Sequence, residues 1–84
     1  MRFIFFGAPI HGIFLLKEGH KPVAIVHSGE KEDDFALMKS IATEKGIMLL
    51  NPEAMDSPED LPDYDLLLSM NFHRKIPDEV LNKA

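Results

Sequence analysis

An unbroken apolar run, Phe3-Ile4-Phe5-Phe6, begins almost at the first residue and ends at Gly7. All four side chains favour β-structure, and no polar residue alternates with them. A strand of this kind is covered on both faces, as in a parallel sheet between layers of helices. Similar short runs predict three further strands, over residues 22–26, 47–50 and 66–70.

Helical patterns separate these runs. We expect a short helix over residues 10–18 that ends at Gly19, and a second that Asp33 or Asp34 caps and Gly46 closes. Residues 51–64 are rich in Pro, Asp and Glu and predict a loop with at most one turn of helix. Pro77 favours the first turn of a third helix.

This order of elements predicts an α/β fold with a Rossmann-like, three-layer parallel sheet. Right-handed crossovers make all four strands parallel, in the order 3-2-1-4. Residues 1–84 are expected to form a single, partial domain.

Charge and cysteine content exclude several functions. The net charge is −5, with the acids concentrated in residues 30–34 and 53–65, which argues against broad nucleic-acid binding through this chain. There is no cysteine, so disulfides, thiolate catalysis and cysteine-based zinc sites are excluded. No apolar run is long enough for a signal peptide or a membrane span, so we expect a cytoplasmic protein with no membrane partner.

In a 3-2-1-4 sheet, ligands bind where the winding reverses, between strands 1 and 4. The first loop there runs from Gly7 to Gly12 and has the spacing G-x-x-x-x-G. This is not a dinucleotide fingerprint, and no Lys-Ser/Thr follows as in a P-loop. The loop is either a plain strand-to-helix turn or a substrate-facing loop. In the second case its substrate-binding candidates are Gly7, Pro9 and His11.

The four histidines are scattered along the chain. His11, His27 and His73 fall at the carboxyl edge of the predicted sheet, where each could touch a ligand, whereas His20 falls on the far side and is expected to be structural. Convergent ligands at short spacing are missing, so no metal site is predicted.

The second loop at the reversal point is Asn71-Phe72-His73-Arg74-Lys75-Ile76-Pro77. Two basic residues beside an aromatic residue and a histidine fit an anionic or heteroaromatic ligand. The alternative is that Arg74 and Lys75 are solvated loop charges.

Five stretches in order resemble one family. They are residues 1–9 (MRFIFFGAP), residues 19–20 (GH) followed by 23–26 (VAIV), residues 42–47 (ATEKGI) leading to 50–53 (LNPE), residues 65–72 (DLLLSMNF) and residues 76–81 (IPDEVL). Together they are similar to the N-terminal part of the 10-formyltetrahydrofolate-dependent formyltransferases that act on methionyl-tRNA or amino sugars. The resemblance covers nearly the whole chain, and the ordered series carries it, since no single stretch is specific.

The resemblance implies transfer of a formyl group from 10-formyltetrahydrofolate to a primary amine, on methionyl-tRNA or a nucleotide-linked amino sugar. It implies that backbone groups of the loop after strand 4 bind the pterin ring, with apolar packing from neighbouring side chains. By position, the cofactor-binding residues are Phe72, His73, Arg74, Lys75 and Ile76. The expected partners are folate, the amine acceptor, and either a second copy or a missing C-terminal segment.

The family's catalytic Asn, His and Asp belong to elements that follow strand 4 and its helix, and the sequence ends at Ala84. Asn71-Phe72-His73 has the Asn-x-His spelling, but no Ser-Leu-Leu-Pro stretch follows it. We therefore predict no catalytic residue here, with Asn71 and His73 as minor candidates, and an inactive chain by itself. The alternative function is a stand-alone Rossmann-like binding or interaction module without catalysis.

Overall fold

A computed structural model of the protein describes residues 2–72 and 74–83. Four strands form one sheet: β1 (Phe3–Gly7), β2 (Ala24–His27), β3 (Met48–Leu50) and β4 (Leu66–Met70). All pairings are parallel, and the order is β3-β2-β1-β4. The predicted α/β architecture with strand order 3-2-1-4 is therefore confirmed.

The register brings the carboxyl ends of three strands level. Gly7, the last residue of β1, pairs with His27 of β2 on one side and with Met70 of β4 on the other. The loops that leave these strands consequently start at one edge of the sheet, which is the edge where parallel α/β proteins bind ligands.

Three α-helices accompany the sheet: α1 (Pro9–Lys17), α2 (Phe35–Lys45) and α3 (Asp78–Leu81). Gly46 follows α2 with a φ of 72°, a left-handed conformation that costs glycine little. The start of α2 differs from expectation. Asp34 occupies the cap position with a φ of 67°, but its side chain makes no capping hydrogen bond.

The segment between β3 and β4 contains more structure than the sequence predicts. Two 3₁₀ helices, Pro52–Asp56 and Pro58–Asp60, replace the single turn expected there. Each begins at a proline, whose fixed φ suits a first helical position. Pro77, by contrast, is the residue before α3 and not part of its first turn.

Side chains of the central strands alternate between two apolar layers. Phe5 and Ile25 face α1 and α2, whereas Ile4, Phe6 and Val26 face the 3₁₀ segment and α3. The sheet is thus covered on both faces, which explains why its inner strands lack polar alternation.

Tyr64 and Lys83 hold α3 against the sheet. The Tyr64 hydroxyl donates a 2.7 Å hydrogen bond to the carbonyl oxygen of Val80, and both residues are buried. Burial raises the pKa of the Tyr64 phenol. Nζ of Lys83 donates to the carbonyl oxygens of Pro58 and Leu61 at 2.9 and 3.0 Å. These contacts attach a four-residue helix that would be unstable alone.

We expect Tyr64→Phe to lower the free energy of unfolding by about 1 kcal/mol, because the carbonyl oxygen of Val80 loses the closer of its two donors and keeps only the backbone N–H of Lys83 at 3.2 Å. Urea denaturation followed by circular dichroism measures the loss. Hydrogen exchange should accelerate at the amides of α3 before those of β1. Unchanged stability together with unchanged exchange in α3 would show that this hydrogen bond does not hold the helix.

Candidate functional site

The turn after β1 and the loop after β4 lie side by side at the carboxyl edge. The backbone N–H of Ala8 donates to the carbonyl oxygen of Met70 at 3.2 Å. On the other side of β1, the backbone N–H of Ser28 donates to the carbonyl oxygen of Gly7 at 3.0 Å. The topology therefore brings the turn that begins at Ala8 next to the end of β4, where the loop after β4 begins, as the position of the winding reversal predicts.

Two of the three residues predicted to bind substrate are buried. A methyl group at Gly7 would overlap the carbonyl oxygen of Met70 and lie 2.7 Å from the Phe5 ring, so glycine is needed there for β1 and β4 to pack. Pro9 is buried as the first residue of α1. His11 is half-buried and is the one of the three with a polar side chain. Substrate binding by Gly7, Pro9 and His11 stays a prediction.

His11 and Asn71 form a hydrogen-bonded pair across the winding reversal. Nδ2 of Asn71 lies 2.8 Å from Nε2 of His11. An amide nitrogen can only donate, so Nε2 accepts, and the ring carries its proton on Nδ1. Asn71 has a φ of 52°, a left-handed conformation that asparagine tolerates better than most residues. Sequence reasoning singled out both residues but did not pair them.

The loop after β4 is anchored by its apolar side chains. The ring of Phe72 packs edge-on against Phe6, with centroids 5.4 Å apart and planes at 86°. Ile76 packs against the same apolar cluster. These two side chains therefore attach the loop to the apolar cluster at residues 72 and 76.

The charged residues of this loop are exposed. Arg74 approaches Asp56 at 4.0 Å, and this solvent-exposed ion pair contributes little to stability. Lys75 is also exposed. His73, predicted to take part in cofactor binding and a minor catalytic candidate, lies outside the described residues.

Backbone amides of the loop are open to a ligand. Within residues 2–72 and 74–83, the backbone N–H groups of Arg74, Lys75 and Ile76 make no hydrogen bond. A planar heteroaromatic ring with donors and acceptors along its edge fits such a strip of unpaired backbone groups, with the apolar packing of Ile76 beside it.

A second polar group of residues lies at the ends of β2 and β3. His27 is 2% exposed, and its Nε2 is 2.9 Å from Oδ1 of Asn51. Its ring also packs edge-on against Phe35, with centroids 4.7 Å apart. Sequence reasoning placed His27 at this edge but did not single out Asn51, which lies level with His27 because Leu50 of β3 pairs with Val26 of β2.

At the opposite edge, His20 lines an apolar groove with Phe3 and Leu66. The groove lies against β4, which has no neighbour on its outer side among the described strands. Within the same part of the chain, no three His, Asp or Glu side chains converge as metal ligands would, and no helix is long and apolar enough to cross a membrane.

No protein-family model, curated protein or solved structure matches the chain. Function is therefore argued from the residues of the site itself.

Proposed function

We propose that this chain is the donor-binding part of a 10-formyltetrahydrofolate-dependent formyltransferase. The observation that carries the proposal is the loop after β4, in which the backbone N–H groups of residues 74–76 are unpaired among the described residues, and whose first residue, Asn71, is hydrogen-bonded to His11 at the winding reversal. The ordered resemblance of the sequence to that family supports it.

Two anchors make the loop suitable for a rigid ring. Phe72 packs on the buried Phe6, and Ile76 packs against the same cluster, so both of these residues are held in place before any ligand arrives. A preformed strip loses less conformational freedom on binding. The amides of Lys75 and Ile76 would donate to acceptors on the edge of the pterin ring.

Bound 10-formyltetrahydrofolate supplies the formyl group that an acceptor amine attacks. His11 follows β1 and Asn71 follows β4, and their hydrogen bond joins the two segments where that amine would approach. Asn71 accepts through Oδ1 and keeps a second amide N–H, so it can orient an amine or a carbonyl oxygen. His11, with its proton on Nδ1, offers one further donor. These are positioning roles in the acceptor site, and the acceptor is a primary amine on methionyl-tRNA or a nucleotide-linked amino sugar.

The alternative is a binding or interaction module without catalysis. Phe14 and Leu66 are 61% and 49% exposed on the α1 and β4 side, which favours association with a second copy or a further segment. Such a module needs no folate, so folate binding separates the two proposals.

A titration with 5-formyltetrahydrofolate, a stable isomer of the donor, tests the main proposal. We expect saturable shifts of the backbone amide resonances of Arg74, Lys75 and Ile76 in ¹⁵N-labelled protein. Ile76→Ala should weaken binding about tenfold or more, because the ring loses apolar support and the loop loses an anchor. Leu37 is exposed, so Leu37→Ala serves as the matched control and should bind 5-formyltetrahydrofolate with the affinity of the unsubstituted protein.

Unchanged amide resonances in this loop at millimolar ligand would contradict donor binding and favour the interaction module. Shifts confined to other parts of the chain would contradict the assigned location.

A further inference from the structure

An open cavity of about 350 Å³ lies between the carboxyl ends of β2 and β3, away from the loop after β4. Residues 27–30 and 51–53 line it. Its volume is within the range of small-molecule sites. Neither the proposed donor binding nor the His11–Asn71 pair uses these residues.

Two buried polar atoms at this cavity have no partner among the described residues. They are Nδ1 of His27, in a residue 2% exposed, and Oγ of Ser28, in a residue 5% exposed. Buried polar groups are normally hydrogen-bonded, and an unpaired one costs stability. Both residues line the cavity, so a ligand seated there is the candidate partner for these two atoms.

The hydrogen bond between His27 and Asn51 determines whether Nδ1 of His27 donates or accepts a hydrogen bond. Asn51 presents its amide oxygen to Nε2, so Nε2 donates the proton. In the neutral ring Nδ1 is then an acceptor. The hydroxyl of Ser28 can accept as well. The ligand must therefore bring hydrogen-bond donors.

The charge of the lining residues further limits the chemical class of the ligand. Glu30 and Glu53 line the cavity, and no described lining residue is Lys or Arg. Lys39 lies in the adjacent groove on the α2 side. Carboxylates without a balancing cation repel phosphates and carboxylic acids and attract an ammonium group.

We propose that this cavity binds a small organic cation through a primary ammonium group. The ammonium donates to Nδ1 of His27 and Oγ of Ser28, and the carboxylates of Glu30 and Glu53 balance its charge. The site is independent of the proposed donor binding, because it lies on other strands and its evidence comes from other residues.

The probes are 1,4-diaminobutane, uncharged 1,4-butanediol of the same length, and the dianion succinate. We expect only the diamine to shift the amide resonances of Ser28 and Gly29 with a saturable curve, and the shifts to weaken as salt is added. Equal saturation by the diol would overturn the ammonium assignment. Shifts of similar size at all acidic surfaces would show that the diamine binds only by general charge attraction, and would contradict a specific site at this cavity.

Two variants test the residues, each with a control of the same chemical change outside the cavity. Ser28→Ala and Glu53→Gln should each weaken diamine binding about fivefold or more, whereas the exposed Ser40→Ala and Glu59→Gln should not. Ser28→Ala should also leave the melting temperature unchanged or raise it, because it removes an unpaired buried hydroxyl.

A structural role for Ser28 predicts the opposite pattern, with a lower melting temperature and unchanged diamine affinity, and that result would contradict the proposal. If Ser28→Ala fails to fold, its hydroxyl is structural and the proposal is overturned in its present form. Glu53→Gln alters only an exposed side chain and is not expected to disturb folding. The diamine affinity of this variant therefore tests the contribution of the Glu53 carboxylate independently of Ser28. The titration with 5-formyltetrahydrofolate tests a different part of the chain. If no folate binds, the result of the diamine titration keeps its meaning.

Discussion

Gly7→Ala is expected to lower the free energy of unfolding by about 3 kcal/mol or to prevent folding. The added methyl group would overlap the carbonyl oxygen of Met70 and lie 2.7 Å from the ring of Phe5. Neither neighbour can retreat easily, because Met70 is paired in the sheet and Phe5 is fully buried. Since small domains are only marginally stable, a loss of this size removes much of the folding free energy.

Gly29→Ala is the matched control. The nearest neighbour of a methyl group there is a side-chain carbon of Glu32 at 3.9 Å, an ordinary contact. We expect a change in unfolding free energy of less than about 0.5 kcal/mol, measured by urea denaturation of both variants. Equal stability of the two variants would contradict the close approach of β1 and β4.

Phe6→Ala is expected to cost about 3–5 kcal/mol, the usual range for removing a buried aromatic ring. Phe6 is fully buried in the cluster that faces α3, and its ring contacts Phe72. The same substitution should therefore loosen the loop after β4. We expect lower ¹⁵N order parameters at residues 74–76 in the milder variant Phe6→Leu, which keeps an apolar side chain at this position.

Phe14→Ala provides the comparison, since this ring is 61% exposed on α1. Its unfolding free energy should change by less than about 1 kcal/mol, because little apolar area is lost from the interior. If the two alanine variants are equally stable, the assignment of Phe6 to the core is wrong. If Phe6→Leu leaves the ¹⁵N order parameters of residues 74–76 unchanged, the order of the loop does not depend on the Phe6–Phe72 contact.

The sheet could be predicted from the sequence because its signals are local. Unbroken apolar runs identify buried strands, and handedness then fixes the order, as for β1 and β4. The segment between β3 and β4 was harder to predict. Its three prolines and many acidic residues indicated a loop, whereas the buried Met55 and Leu61 make the segment part of the apolar layer on one face of the sheet. That role depends on contacts between residues distant in sequence.

The sequence predicted where in the fold the site lies, but not the contacts between its side chains. The winding reversal placed His11 and Asn71 at one edge, but their hydrogen bond depends on the left-handed backbone at Asn71. The cavity beside His27 was missed because Asn51 and Ser28 are ordinary polar residues in the sequence. Their importance comes from burial and unpaired atoms, which pattern alone does not reveal.

The most direct test of donor binding is an intermolecular nuclear Overhauser experiment on the protein with saturating 5-formyltetrahydrofolate. The account predicts contacts from protons of the reduced pterin ring to the amide protons of Lys75 and Ile76, and none to Ser28 or Gly29. Contacts to residues 27–30 instead, or no contacts to residues 74–76 at saturation, would contradict it.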